Sequence, residues 1–358
     1  MVDDSRDLAL VFAGGNAVGA YHAGTYEALH GHGLRPGWVV GASIGAVTAA
    51  IVAGNAPEDR IAKLRTLWDE ATQATGPSPT GLLKPRQVYN GLHAILALAG
   101  GRPTIFGHRF PGLWSALPWV PNDVALFDNK PLLRTLERLV DFERLNRGDT
   151  RLTVGCVDIE NGEEVYFDTA REEVRPEHIL ASTAILPAFP PVEVDGRVLC
   201  DAGYTNNLPL DPLFATEPGR DLLCIASDLF SLKAPRPASL DAVLERANDL
   251  IFASPPRRAI AGLRREYDLL ERLDPAGPAV TLLHLVYQAG ADELAAKSFD
   301  FSPSSVRDRW AAGGRDAARG LELLALDGSE KRRFCYLSLP DGLVVPKAAA
   351  SQATSAVR

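Results

Sequence analysis

The sequence has little that would suit secretion, metal binding or nucleic acid. Cysteine is sparse: of Cys156, Cys200, Cys224 and Cys335, none forms a C-x-x-C pair. That spacing argues against a disulfide framework or a zinc site and predicts reduced thiols within apolar strands. Positive charge is short too, with 37 Lys and Arg against 45 Asp and Glu and a net charge of −8. Phosphate backbones are bound by basic surfaces, so nucleic acid is not an expected partner. There is no long hydrophobic run. The longest weakly polar stretch, Val39 to Gly54, is too short to span a bilayer and contains Ser43 and Thr48. The opening residues Met1 to Asp7 are acidic and lack the basic-then-apolar order of a signal peptide, so the cytoplasm is the expected compartment. With 46% hydrophobic and 23% charged residues and no internal repeat, the chain is neither disordered nor fibrous.

What is present reads as alternating strands and helices. Leu8 to Ala13 is a short apolar run that stops at Gly14-Gly15, the pattern of a buried strand entering a tight turn. Helical spacing follows over Gly19 to His30. Trp38 to Val40 is a second buried strand ended by Gly41, and Ile44 to Ala53 is a helix too apolar to face water. Glu58 to Ala74 places Ile61, Leu64, Leu67 and Trp68 on one face. Gly76 to Thr80 breaks the pattern. Further on, the turns Glu160-Asn161-Gly162 and Asp195-Gly196 predict hairpins, and Leu222 to Ser227 a further buried strand. Beyond a Pro-rich junction at 234–237, two amphipathic helices are expected at 240–254 and 257–273, then a strand at 280–288 and a long helix at 304–326. Strand–helix repetition of this kind predicts an α/β layered fold.

Two glycine-bounded turns carry the chemistry. Gly41-Ala42-Ser43-Ile44-Gly45 fits G-x-S-x-G between a strand and a helix, the context in which a serine oxygen is presented at the tip of a sharp turn. The helix start beneath it favours developing negative charge. The plainer reading is a serine that caps a buried helix. Gly14-Gly15-Asn16-Ala17-Val18-Gly19 also joins a strand to a helix and offers free backbone amides, as an oxyanion hole would. A dinucleotide loop would need glycine at 16, and a phosphate-binding P-loop would need Lys-Ser/Thr after Gly19, where Ala20-Tyr21 stand. For a base, the chain-order set Ser43, Asp201 and His284 is formally available. The elbow, however, lies too near the N-terminus for an α/β-hydrolase, and both His284 and His22 read as packed residues. Asp201 is the better partner, since it ends an apolar strand before Ala202-Gly203. Such a carboxylate can take a serine proton when held at hydrogen-bond distance in a dry site.

These pieces resemble the patatin-like phospholipases, lipid acyl hydrolases with a Ser–Asp dyad. Four blocks match in order: the Gly14 to Gly19 loop, Gly41 to Gly45, the run from Ala181 to Pro191, and Asp201-Ala202-Gly203 with Asn206, Asn207 and Pro209. The resemblance covers about residues 8–230. It implies a three-layer sandwich with a central, mostly parallel sheet flanked by helices. It implies Ser43 as nucleophile, Asp201 as general base, and Gly14, Gly15 and Asn16 as the oxyanion hole, with no metal or cofactor. The loop departs from the family pattern at Asn16, where a third glycine is usual, and at Val18, where Lys or Arg is usual. That bears on rate and head-group preference more than on reaction type.

The expected organisation is a catalytic domain over 1–233, a C-terminal helical extension over 234–330 packed on it, and a disordered tail over 347–358. Within the first lies an apolar insertion at 87–122 that contains no acidic residue. It is expected to act as an acyl-chain wall, a lid or a membrane-touching surface, with Phe106, Phe110, Trp114 and Trp119 as candidate lipid contacts; the alternative is ordinary core and loop. The expected partner is an acyl lipid or ester, with peripheral membrane contact. The competing reading is a lipid-binding or scaffold protein that keeps the fold without catalysis.

Overall fold

The structure, a computed structural model, describes residues 6–73, 86–290, 293, 295–326, 332–339 and 342–343. The breaker expected at 76–80 and the tail expected at 347–358 lie outside the described residues.

The first apolar run forms β1 (Asp7–Phe12). A single 3-10 turn, Asn16–Gly19, leads into α1 (Ala20–Gly31). Next come β2 (Trp38–Ala42) and α2 (Ile44–Ala53), the latter buried along its whole length as its composition requires. Amphipathic α3 (Arg60–Thr72) turns Leu64, Leu67 and Trp68 inward. The insertion opens with α4 (Arg86–Gly100) and continues as loop, pinned by a short ladder of β3 (Gly107–His108) and β4 (Phe127–Asp128). Helices α5 (Lys130–Leu139) and α6 (Phe142–Arg147) precede the hairpin of β5 (Arg151–Asp158) and β6 (Glu164–Asp168). After α7 (Pro176–Ser182) comes the second hairpin, β7 (Val192–Val194) and β8 (Arg197–Asp201). Its turn residues Asp195 and Gly196 have φ of 50° and 80°, as a tight two-residue hairpin loop requires. Short helices α8 (Gly203–Asn206) and α9 (Asp211–Phe214) lead to β9 (Leu222–Asp228).

The C-terminal third differs from expectation in two ways. The helices expected at 240–254 and 257–273 are one, α10 (Leu240–Leu273), which runs through Pro255 and Pro256. Each proline removes an amide donor and would ordinarily break a helix. Here Ala253, Pro256, Ile260 and Tyr267 are all buried at helical spacing, so packing of one face carries the helix past the break. The segment expected as a helical extension also builds the sheet. β10 (Val280–Val286) pairs in parallel with β9, and after α11 (Pro303–Leu326) the strand β11 (Phe334–Leu339) pairs in parallel with β10. β12 (Gly342–Leu343) adds an antiparallel edge.

The result is a ten-stranded sheet in the order β12-β11-β10-β9-β1-β2-β5-β8-β7, with β6 also beside β5. Helices flank it. Neighbours from β11 to β5 are parallel, and the pairings β5–β6, β5–β8, β8–β7 and β11–β12 are antiparallel. β1 lies between β2 and β9, so the chain leaves it on one side and returns on the other. Parallel sheets open a crevice beyond the carboxyl ends of the strands at such a reversal. The loops after β1, β2 and β9 all emerge there.

Helix α1, which follows the first glycine loop, is covered by α11. A Cβ at Gly24 would stand 1.8 Å from the Trp310 carbonyl oxygen, and one at Gly313 would stand 2.0 Å from that of Tyr21. The two backbones therefore touch, and only glycine fits the seam. Tyr21 donates to Asp316 at 2.9 Å and the Trp310 indole to Glu27 at 2.5 Å, on either side of it. Among the described residues no helix is long and apolar enough to cross a membrane. All four cysteines are free thiols.

Candidate functional site

Ser43 occupies the turn between β2 and α2 with φ 56° and ψ −129°, a strained conformation for any residue but glycine. The motif's glycines make the turn sterically feasible. A Cβ at Gly41 would lie 2.4 Å from the Gly45 carbonyl, and one at Gly45 would lie 2.1 Å from the Phe12 carbonyl. The Ser43 side chain makes no capping bond, so the plain helix-cap reading does not describe it. Its amide instead donates to Ser182 Oγ at 3.0 Å, and that hydroxyl donates to the Gly155 carbonyl at 2.6 Å. Ser182, at the end of α7, thus ties the turn to β5.

Asp201 ends β8 and is wholly buried. Oδ1 accepts from the Gly203 amide at 2.7 Å. Oδ2 is buried with no hydrogen-bond partner among the described residues. Burial pushes the carboxyl up to about 7, against the opposing pull of the nearby Ser43 hydroxyl and the Gly203 amide. Removing water disfavours the charged form, and too few donors surround it to compensate. A buried carboxylate oxygen left open beside a strained serine is arranged to receive a proton.

The loop after β1 faces both residues. Its three positions are not equivalent. The Gly14 amide donates to the Asn207 carbonyl at 3.0 Å, and Asn207 Nδ2 donates back to the Gly14 carbonyl at 3.2 Å. Gly14 is therefore clamped, and its amide is not available to an oxyanion, contrary to expectation. The amides of Gly15 and Asn16 make no hydrogen bond among the described residues. Asn16 has φ 50°, a left-handed value that asparagine tolerates better than most residues. Val18 points into the core and is fully buried, so no charge stands at that place.

Gly14, Gly15, Asn16, Ser43, Asp201 and Asn207 share one cavity of about 80 Å³, closed by Ile185, Phe230, Phe252 and Ser298-Phe299. It is small beside the ~300–1,000 Å³ of a drug-sized pocket. It has room for a few heavy atoms and not for a long chain. The aromatic walls were not apparent from sequence: Phe252 comes from α10 and Phe299 from the turn before α11. Buried Lys297 fixes them together, through Asp249 at 2.7 Å and Glu245 at 3.1 Å on α10.

The candidate lipid contacts stand elsewhere. Phe106 is fully buried in an aromatic cluster, 6.2 Å between ring centres from Phe299, and reaches the cavity only through that neighbour. Phe110, Trp114 and Trp119 are exposed and line no part of this cavity. The histidines are also apart from it. His284 is buried on β10 between Asp228 at 3.1 Å and Tyr336 at 2.9 Å. His22 is buried between Ser227 Oγ and the Ala13 carbonyl, each at 2.8 Å, and burial pushes it down to about 4. Among the described residues no cluster of His, Cys, Asp or Glu has the arrangement of a metal site.

Known proteins match this chain in two blocks. The family profile described as patatin-like phospholipase matches residues 10–214, and one described as patatin phospholipase matches residues 263–331. No curated protein matches. Among solved structures, VipD from Legionella pneumophila is 15% identical with a TM-score of 0.44, over 89% of this chain and 67% of that one. The type III effector ExoU is 11% identical with a TM-score of 0.37, over 90% of this chain and 54% of that one; ExoU of Pseudomonas aeruginosa in complex with SpcU is 18% identical with a TM-score of 0.29, over 68% of this chain and 47% of that one. Human GIVD cytosolic phospholipase A2 is 15% identical with a TM-score of 0.28, over 62% of this chain and 40% of that one. The chain thus spans about two thirds of VipD and about half of ExoU.

Proposed function

The chain belongs to the patatin-like phospholipase family, and we propose that it hydrolyses acyl-lipid esters with Ser43 as nucleophile and Asp201 as its base. The observation that carries this reading is the open, buried Asp201 Oδ2 beside a serine held in a strained turn. The ester carbonyl sits between Ser43 and the amides of Gly15 and Asn16. Ser43 Oγ attacks the carbonyl carbon while Asp201 takes its proton. The oxyanion is held by the two amides, aided by the N-terminus of α2. As the C–O bond breaks, Asp201 returns the proton to the leaving alcohol or lysolipid. Water, deprotonated by the same carboxylate, then attacks the acyl-enzyme; the bond from the acyl carbon to Ser43 Oγ breaks, Asp201 returns the proton to Oγ, and the fatty acid leaves.

Oxyanion binding rests on two backbone amides, so the asparagine at position 16 removes no donor. A scaffold that only bound lipid would have no use for a buried carboxylate with one oxygen left open. Such a group raises the energy of the fold and is retained where chemistry needs it. We place the protein in the cytoplasm, in peripheral contact with lipid. The direct test is a serine-directed fluorophosphonate probe followed by peptide mass spectrometry. The expected result is a single adduct on Ser43 and loss of p-nitrophenyl ester hydrolysis in proportion. An active enzyme labelled on another serine would overturn the assignment.

Ser182 acts here as a positioning residue, since it holds the Ser43 amide. Ser182→Ala leaves that amide and the Gly155 carbonyl unpartnered in the interior, a loss of ~1–3 kcal/mol in stability. Catalysis should fall about tenfold to hundredfold in kcat with little change in KM, because a displaced nucleophile loses alignment and not substrate binding. Ser182→Thr keeps the hydroxyl and should recover most of the rate. A variant that melts earlier but turns over normally would confine Ser182 to stability.

A further inference from the structure

The insertion between α3 and α5 is built inside out. On α4 the buried positions include Asn90 and His93, whereas Val88 and Ile95 are 52% and 62% exposed. The loop beyond it turns Phe110, Leu113, Trp114 and Trp119 outward, 84%, 68%, 61% and 80% exposed. This is a fixed surface. Asp123 accepts from Arg109 and the Val124 amide through Oδ1, each at 2.8 Å, and from the Gly112 amide through Oδ2 at 2.9 Å. The Arg109 guanidinium holds the Asp123 carboxyl down at about 2, so that acid is neutralised within the loop. From Gln87 to Asn122 the sequence has no other acid, in a chain with net charge −8. Apolar patches of this kind on a protein surface mark interaction sites.

The loop is also tied to the wall of the cavity. The amides of Leu126 and Phe127 donate to the carbonyls of Pro187 and Ala188 at 3.0 and 2.9 Å, in the turn that follows Ile185 of that wall. Phe106, at the start of the loop, packs on Phe299 of the same wall.

We propose that the outward face of this loop, centred on Phe110, Trp114 and Trp119, docks on a phospholipid bilayer. Indole and phenyl rings suit the boundary between head groups and acyl chains. The absence of uncompensated acid removes the repulsion that the rest of this acidic chain would meet at a phosphate-bearing surface. The choice of a bilayer over a protein partner rests on the acyl-lipid reading above: a cavity of about 80 Å³ holds only the reacting end, so the remainder of the lipid stays outside, against whatever covers this side.

The test uses no turnover. The full chain is sedimented with phosphatidylcholine vesicles, with and without phosphatidylglycerol, and its tryptophan emission is recorded. Wild type should sediment and its emission shift to the blue. The variant Phe110→Ser/Trp114→Ser/Trp119→Ser should partition at least tenfold less, and Trp119→Glu alone should also weaken binding, each with an unchanged thermal melt. Ser43→Ala should sediment as wild type does. The proposal is overturned if wild type stays in the supernatant with both vesicles, or if the variants sediment equally well. It is also overturned if the triple variant instead converts a dimer to a monomer without any change in vesicle binding. Vesicle binding by a chain that hydrolyses no ester would uphold this surface and remove the hydrolase reading; ester hydrolysis without vesicle binding would do the reverse.

Discussion

Ser43→Ala is expected to lower kcat/KM for p-nitrophenyl butyrate by roughly 10³–10⁵-fold, leaving a folded protein. The two halves of that expectation have separate causes. Activity goes because the acyl bond forms on the hydroxyl that stands beside Asp201, and alanine removes it. The fold stays because the turn does not depend on the hydroxyl: the side chain makes no capping bond, and the turn is held from outside by Ser182. Alanine suffers the same strain at φ 56° as serine does, so the melting midpoint should move by no more than ~1 kcal/mol equivalent. Paired kinetics and thermal melts read both halves. A variant that keeps more than a tenth of wild-type activity would remove Ser43 as the nucleophile.

Asp201→Asn should be nearly as inactive and, at alkaline pH, more stable than wild type. The carboxyl titrates near 3.9 in an unfolded chain and at about 7 in the fold. Its folded value is raised, so the native state binds the proton more tightly. The resulting stability is fully present below pH ~4, is lost as pH rises through 7, and stays lost above that. Three units at 1.36 kcal/mol each set an upper bound of ~4 kcal/mol. Asparagine does not titrate and carries none of this penalty. Asp201→Asn should therefore melt several degrees higher than wild type at pH 8, and the gap should close toward pH 4. The depressed His22 weakens both proteins equally in acid and cancels in the comparison. The rate shows the same group from the other side: kcat/KM of wild type should rise through pH 7 and level off as the base ionises. Equal melting of the two proteins at pH 8 would contradict a buried, proton-hungry Asp201.

The glycine turns were readable because their geometry is local. Gly41 and Gly45 sit where a Cβ would strike backbone, and α2 begins and ends at Ile44 and Ala53 as its run of small apolar residues suggests. The hairpin at Asp195-Gly196 follows from the same kind of short-range rule. Long-range partners left no such trace. Ser182 lies 139 residues from the amide it holds, and Asn207 lies 193 residues from Gly14, so neither role has a spacing to read. That the Gly14 amide is taken by Asn207 is a fact of tertiary contact. Likewise the periodicity of residues 280–288 marks a strand and says nothing of which strand it joins. Pro255-Pro256 misled for a related reason: the breaking tendency is local, whereas the packing of Ala253, Pro256 and Ile260 that overrides it is not.

The glycine seam between α1 and α11 also fixes an order of events at the ribosome. Tyr21 and its partner Asp316 are separated by 295 residues of chain. At ~5–20 residues per second, translation takes about 15–60 s to span that distance. For that interval α1 packs on α2 and α3 but lacks the cover of α11. The flank of β9 stays open as well, until β10 has been made. A fragment ending near residue 214, where the first family match stops, would stay in that unfinished condition. Ser43 and Asp201 are thus made before residue 214, whereas Phe252 and Phe299, which wall the cavity they share, are made after it.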